Sequence, residues 1–167
     1  MSRPVPTQNE ILFPKDDVIV SKTDTKGMIT YCNQVFIQIS GYQEEELIGQ
    51  SHNILRHPLM PRVIFKLLWD TIQNKEEINA YVVNLTKCGD YYWVLANVTP
   101  SFDAQHNIIG YFSVRTKPDA RRLNIIKDLY AQLLSIEKKQ GVEASLQYLQ
   151  KFLDEKGVTY EEFILTF

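Results

Sequence analysis

The sequence predicts an α+β domain: a five-stranded antiparallel sheet flanked by short helices, followed by a C-terminal helical extension. Three observations predict it. Runs rich in β-branched and aromatic residues, bounded by turn residues, occur at Val18–Ser21, Met28–Cys32, Tyr81–Thr86, Tyr91–Val98 and Ile108–Arg115. Between the second and third runs the apolar residues recur at helical spacing instead. Beyond Pro118 the helical period returns and persists.

Taken in order, residues 1–17 carry Pro4, Pro6 and Pro14 and read as an extended lead-in. Asp24-Thr25-Lys26-Gly27 is a hairpin turn between the first two strands. Val35, Phe36, Ile39 and Tyr42 then mark a short helix that Gly41 stops. Gln43–Leu47 is an acidic helical turn closed by Gly49, and Ser51–Pro58 is polar and irregular. Pro61 stands at the first position of a longer helix whose stripe is Ile64, Phe65, Leu68, Trp69 and Ile72. Lys87-Cys88-Gly89-Asp90 turns the third strand into the fourth, which Pro100 is expected to end. Asp103–Asn107 makes the last turn, so the sheet domain is read as residues 18–118.

The extension, residues 119–167, opens with a helix lined by Leu123, Ile126, Tyr130 and Leu133 and widened by Ile125, Leu129 and Ile136. Gly141 breaks it, a second helix carries Leu146, Leu149, Phe152 and Leu153 to Gly157, and Thr159–Glu162 forms a capping box for a last turn. So wide a stripe requires burial. Three arrangements remain open: packing on the sheet, a homodimer helix, or contact with a signalling partner.

Composition narrows the class. Hydrophobic residues make up 44% and charged residues 23% of the 167, which suits a globular core. A net charge of −2 argues against nucleic acid as a partner. No apolar run approaches the roughly 18–20 residues of a membrane span, and the N-terminus has no apolar signal core. Cys32 and Cys88 are far apart, which fits a reducing, cytoplasmic setting and not a disulfide scaffold. No GxGxxG, P-loop, HExxH or supported Ser/His/Asp set occurs, so an enzyme is not expected.

The order ββ, small helices, βββ, with Asn33-Gln34-Val35-Phe36 and Ser40-Gly41-Tyr42 after the first hairpin, resembles a PAS domain. More specific segments are Glu46–Gln50, His52-Asn53-Ile54-Leu55-Arg56-His57-Pro58, Met60-Pro61, Trp69, Gly89–Val94 and Gly110–Thr116. Together these are similar to the sensory PAS of the Aer family of aerotaxis receptors. That resemblance implies a PAS fold holding noncovalent FAD whose redox state is read in energy taxis. In the family a membrane anchor, a HAMP domain and a chemotaxis signalling domain follow. These 167 residues contain none of them and are closer in size to CetB-type PAS-only proteins. Signalling in trans to a membrane-bound chemotaxis transducer is the expectation.

The candidate FAD-binding residues are Asn33, Arg56, His57, Trp69 and Asn84. Arg56 offers a planar fork of donors suited to a pyrophosphate or flavin carbonyls, and His57 beside it can hydrogen-bond or stack. Trp69 sits on an apolar stripe, as core or as pocket wall, and the resemblance places it in the pocket. Asn84 is a polar residue mid-strand, either solvated or facing a ligand edge with donors and acceptors. Asn33 is an N-cap, a pocket residue, or both, and Asn97 is a weaker candidate.

Two departures bear on the chemistry. The photoreceptor PAS class places a reactive cysteine where this chain has His52-Asn53-Ile54-Leu55, which argues against thiol adduct chemistry. A second tryptophan frequent in Aer proteins is replaced by Ile78-Asn79-Ala80. Haem is the competing ligand, with His52, His57 or His106 as axial candidates. A cofactor-free dimerisation or adaptor module is the other alternative.

Overall fold

The computed structural model describes residues 3–166. Its strands are β1 (Ile19–Thr23), β2 (Ile29–Cys32), β3 (Ile78–Leu85), β4 (Tyr91–Phe102) and β5 (Ile108–Thr116). They form one antiparallel sheet in the order β2-β1-β5-β4-β3. Between β2 and β3 lie α1 (Gln34–Ser40), α2 (Glu44–Leu47), a 3₁₀ turn (His52–Leu55) and α3 (Arg62–Gln73). After the sheet come α4 (Ala120–Gln140), α5 (Val142–Lys156) and α6 (Tyr160–Thr166).

Local chemistry sets most boundaries. Asp24 Oδ1 accepts from the amides of Lys26 and Met28, each at 2.9 Å, and Gly27 takes the left-handed conformation that closes the hairpin. Gly41, at φ 77°, ends α1. Thr159 and Glu162 make the expected reciprocal cap of α6.

Three boundaries differ from expectation. Strand β3 begins at Ile78, which pairs with Val98. Strand β4 does not end at Pro100 but runs through it to Phe102. Pro100 lies beyond the last residue paired with β3, where β4 has a neighbour only on the β5 side, and sheets accept proline there. Pro61 caps α3 rather than opening it.

The sheet has two unlike faces, because successive side chains point to opposite sides. The inner face carries Val82, Asn84, Val94, Ala96, Ser113 and Arg115 beneath the short helices. The outer face carries Tyr81, Val83 and Trp93. The N-terminal lead-in crosses it near Tyr91, which exchanges backbone hydrogen bonds with Asn9 and Ile11. Helix α4 covers the rest of that face around β3 and β4, burying Ile126, Leu129, Tyr130 and Leu133, with the Tyr130 ring 5.9 Å from that of Trp93. Of the arrangements left open for the extension, packing on its own sheet is the one observed.

Strand β3 is a terminal strand, and its free edge is covered. Arg56 bridges Asn84, the Val83 amide donates to Met60 Sδ at 3.4 Å, and α6 packs beside the strand.

Candidate ligand-binding site

A cavity of about 110 Å³ opens to solvent between the inner face and α3. Helix α3 contributes Phe65, Leu68, Trp69 and Ile72, which fall on one side at helical spacing. Trp69 lies against Gly27, where a Cβ would come within 3.1 Å of the indole, and meets Tyr111 edge-on at 5.6 Å. The sheet supplies Asn84 together with Ala96 and Arg115, which are direct cross-strand partners, and Asn53 and Arg56 also border the cavity.

The polar groups are unusual for an interior. Arg115 is 2% exposed and faces no carboxylate among the described residues. Its Nη1 donates to His52 Nε2 at 2.8 Å and its Nη2 to Ser21 Oγ at 2.9 Å, with the guanidinium 4.9 Å over the Phe36 ring. Burial pulls the Arg115 pKa down to about 10, so the group stays cationic at neutral pH. His52 is lowered to about 3, by burial first and the Arg115 charge second, although part of its surface opens into the cavity. It is therefore a neutral acceptor.

Two nitrogens in this wall lack partners among the described residues: Arg115 Nε and Asn84 Nδ2. Asn84 is 4% exposed. The Tyr92 phenol, raised to about 12 mainly by burial, is near enough to feel the Asn84 amide, but the two make no hydrogen bond of ordinary geometry. Orphaned buried donors each cost about 1–3 kcal/mol, a cost that an acceptor reaching them from the cavity would remove.

The fold brings together three of the five predicted residues, Arg56, Trp69 and Asn84. Arg56 sits 4.5 Å above the Phe65 ring and makes no ion pair among the described residues. Its pKa is lowered by burial, then by Arg3 and Arg62, against an opposing pull from Glu137. His57 is not among the cavity residues. Arg56 is extended, so adjacent side chains diverge, and His57 borders a separate groove with Leu59, Tyr91 and Trp93. Its Nδ1 accepts from the Leu59 amide at 3.0 Å, and burial lowers its pKa.

Asn33 is likewise outside the cavity, because its side chain is fully engaged in capping. Its Oδ1 accepts from Phe36 at 3.1 Å and Val20 at 3.0 Å, and its Nδ2 donates to the Val18 carbonyl at 2.8 Å. Asn97 faces outward and bonds Asn79 and Glu77. His106 stacks on Phe102 in the β4–β5 turn, and neither cysteine lines the cavity. Arg115 was missed as a site residue. Its signal was an arginine in step with Tyr111 and Ser113 along one strand.

The fold agrees with comparison to known proteins. A family model described as the PAS fold matches residues 17–115. The chain belongs to the PAS family. This PAS protein is 39% identical over 132 residues to the aerotaxis receptor of Escherichia coli (strain K12), covering 79% of its own length and 26% of the receptor. It is 28% identical over 98 residues to a nitrogen fixation regulatory protein of Klebsiella pneumoniae, covering 59% of its length and 20% of that protein. The chain thus spans about a quarter or less of these curated relatives. Among solved structures, a PAS domain from Colwellia psychrerythraea superposes with a TM-score of 0.56 at 22% identity, covering 60% of this chain and 86% of that one. A light-oxygen-voltage domain studied with a flavin analogue gives 0.59 at 20% identity, covering 66% and 84%. At these identities the structures establish the fold alone.

Proposed function

We propose that this PAS protein is a flavin-binding redox sensor for aerotaxis or energy taxis, with FAD as its cofactor. The observation that carries the reading is the pair of orphaned donors, Asn84 Nδ2 and Arg115 Nε, in the wall of a cavity lined with Phe65 and Trp69. An isoalloxazine is flat, which suits that aromatic lining, and its pyrimidine edge offers carbonyl and ring-nitrogen acceptors. When bound, the flavin supplies reversible electron uptake coupled to protonation.

The protein's own residues bind and bias it. Trp69 and Phe65 form the wall, and Asn84 would donate to the ring edge. Arg115, a buried cation with no acid beside it among the described residues, would favour negative charge on the ligand. His52 holds Arg115 in place as a neutral acceptor. Arg56, at the cavity border, is suited to the diphosphate of FAD. Asn33 and His57 support the site from behind, by fixing the start of α1 and the loop after Arg56.

Haem is less well supported. His52 Nε2 already accepts from a guanidinium, and His57 and His106 lie outside the cavity.

The similarity to an aerotaxis receptor supports the taxis assignment. The protein acts in the cytoplasm without catalysing a reaction, and its output passes to a membrane-bound chemotaxis transducer. No helix among the described residues is long and apolar enough to cross a membrane. The absorbance spectrum of the purified protein tests the cofactor directly. Flavin bands, with FAD released on denaturation and identified by mass, are the expected result. A Soret band or a colourless protein that takes up no FAD overturns it.

A further inference from the structure

We propose that Glu137, in the C-terminal extension, is a positioning residue for the cavity: it holds the N-terminus of α3 and thereby couples the ligand wall to the α4–α5 hairpin. The inference rests on the reading of the cavity as a flavin site.

The first amides of a helix have no partner inside it and need acceptors from elsewhere. Helix α3 has none of its own, because Pro61 occupies the cap position and offers no side-chain acceptor. The acceptors come from α4. Glu137 Oε2 takes the Arg62 amide at 3.0 Å, and its Oε1 takes the Val63 amide at 2.9 Å. A carboxylate here also meets the positive end of the α3 dipole. The buried Ser145 Oγ of α5 lies 3.1 Å from the same Oε1 and shares its one proton between it and the Val142 carbonyl at 2.8 Å. One carboxylate thus ties three helices, and α5 packs against α3 beside it.

The other links are equally short. Phe65 lies one turn after Arg62, borders the cavity and carries Arg56 on its ring, while Leu68 and Trp69 continue the same face. Glu137 also acts on Arg56 through its charge. A helix moves nearly as a unit, so a shift of the ligand wall is felt at the Glu137 cap. By linkage, a partner whose binding to the hairpin the ligand changes by some factor changes ligand affinity by that same factor.

Hydrogen exchange of the full chain with and without FAD tests this, using wild type, Glu137→Gln, Glu137→Ala and, as a charge control on the same hairpin, Glu155→Gln. The expected result is that FAD slows exchange in both 62–66 and 137–146 of the wild type and of Glu155→Gln. The effect at 137–146 is reduced in Glu137→Gln and lost in Glu137→Ala. FAD binding weakens by about fivefold in Glu137→Ala, with a smaller loss in Glu137→Gln, which keeps one acceptor oxygen. If Glu137→Ala does not fold, Glu137→Gln carries the comparison. Protection of 62–66 alone in the wild type, or wild-type FAD affinity in the folded variants, overturns the coupling and leaves the flavin site standing. Failure of the wild type to bind FAD overturns the flavin reading, and the coupling falls with it.

Discussion

The two faces of β3 and β4 are made from the same strands and solve burial in opposite ways. On the outer face the polar groups that α4 and α6 bring are satisfied: Tyr130 donates to the Tyr81 carbonyl and Tyr160 to that of Asn79. On the inner face, among the described residues, Asn84 and Arg115 keep unpaired donors, and a cation is buried without an acid. The difference teaches where the fold leaves room for something more. The outer contacts close on themselves, whereas the inner wall leaves donors without partners among the described residues.

Substitutions can break or sharpen this division. The largest effect is expected outside. Leu133→Ala removes a fully buried side chain and should cost about 2–5 kcal/mol, read from the denaturant midpoint, with a much smaller effect on flavin affinity that reaches the wall only through Glu137. Loss of affinity without loss of stability would contradict the division.

Next comes the pH response of the inner face. The folded His52 ring is held at about 3, against about 6.5 in an unfolded chain. The unfolded state therefore takes up a proton that the folded state refuses. Stability is complete above about pH 6.5 and is lost as pH falls toward the folded value, with a slope of up to about 1.4 kcal/mol per unit. Urea midpoints between neutral and acid pH should show this slope, and His52→Gln should flatten it.

Asn84→Leu separates folding from binding. Removing an orphaned donor should leave the ligand-free protein equally stable or about 1 kcal/mol more so. Flavin affinity should fall about ten- to hundredfold by fluorescence titration. The smallest effect is expected of Tyr160→Phe, which loses one outer-face hydrogen bond, about 1 kcal/mol in thermal unfolding, with binding unchanged.

Legibility in the sequence followed the range of the interactions. The Asp24–Gly27 turn, the Gly41 stop and the Thr159–Glu162 cap were readable because each is closed by residues a few positions apart. Pro100 was misread because its tolerance depends on where β3 ends, a fact of pairing across the sheet. Arg56 and His57 are neighbours in the chain, yet the bridge of Arg56 to Asn84 sends their side chains to different sides of β3. Arg115 and His52 are brought together by tertiary structure from 63 positions apart, so neither announced the other.

By itself the sequence determined the alternation of strands and helices, the PAS resemblance and the need to bury the α4 stripe, because period and turn chemistry are local. Only the tertiary structure decided what that stripe covers, which of the candidate side chains share a cavity, and that Glu137 caps a helix in another part of the chain. Those facts depend on which groups find partners once the sheet has closed. Partnership across long chain distances is a property of packing, not of spacing.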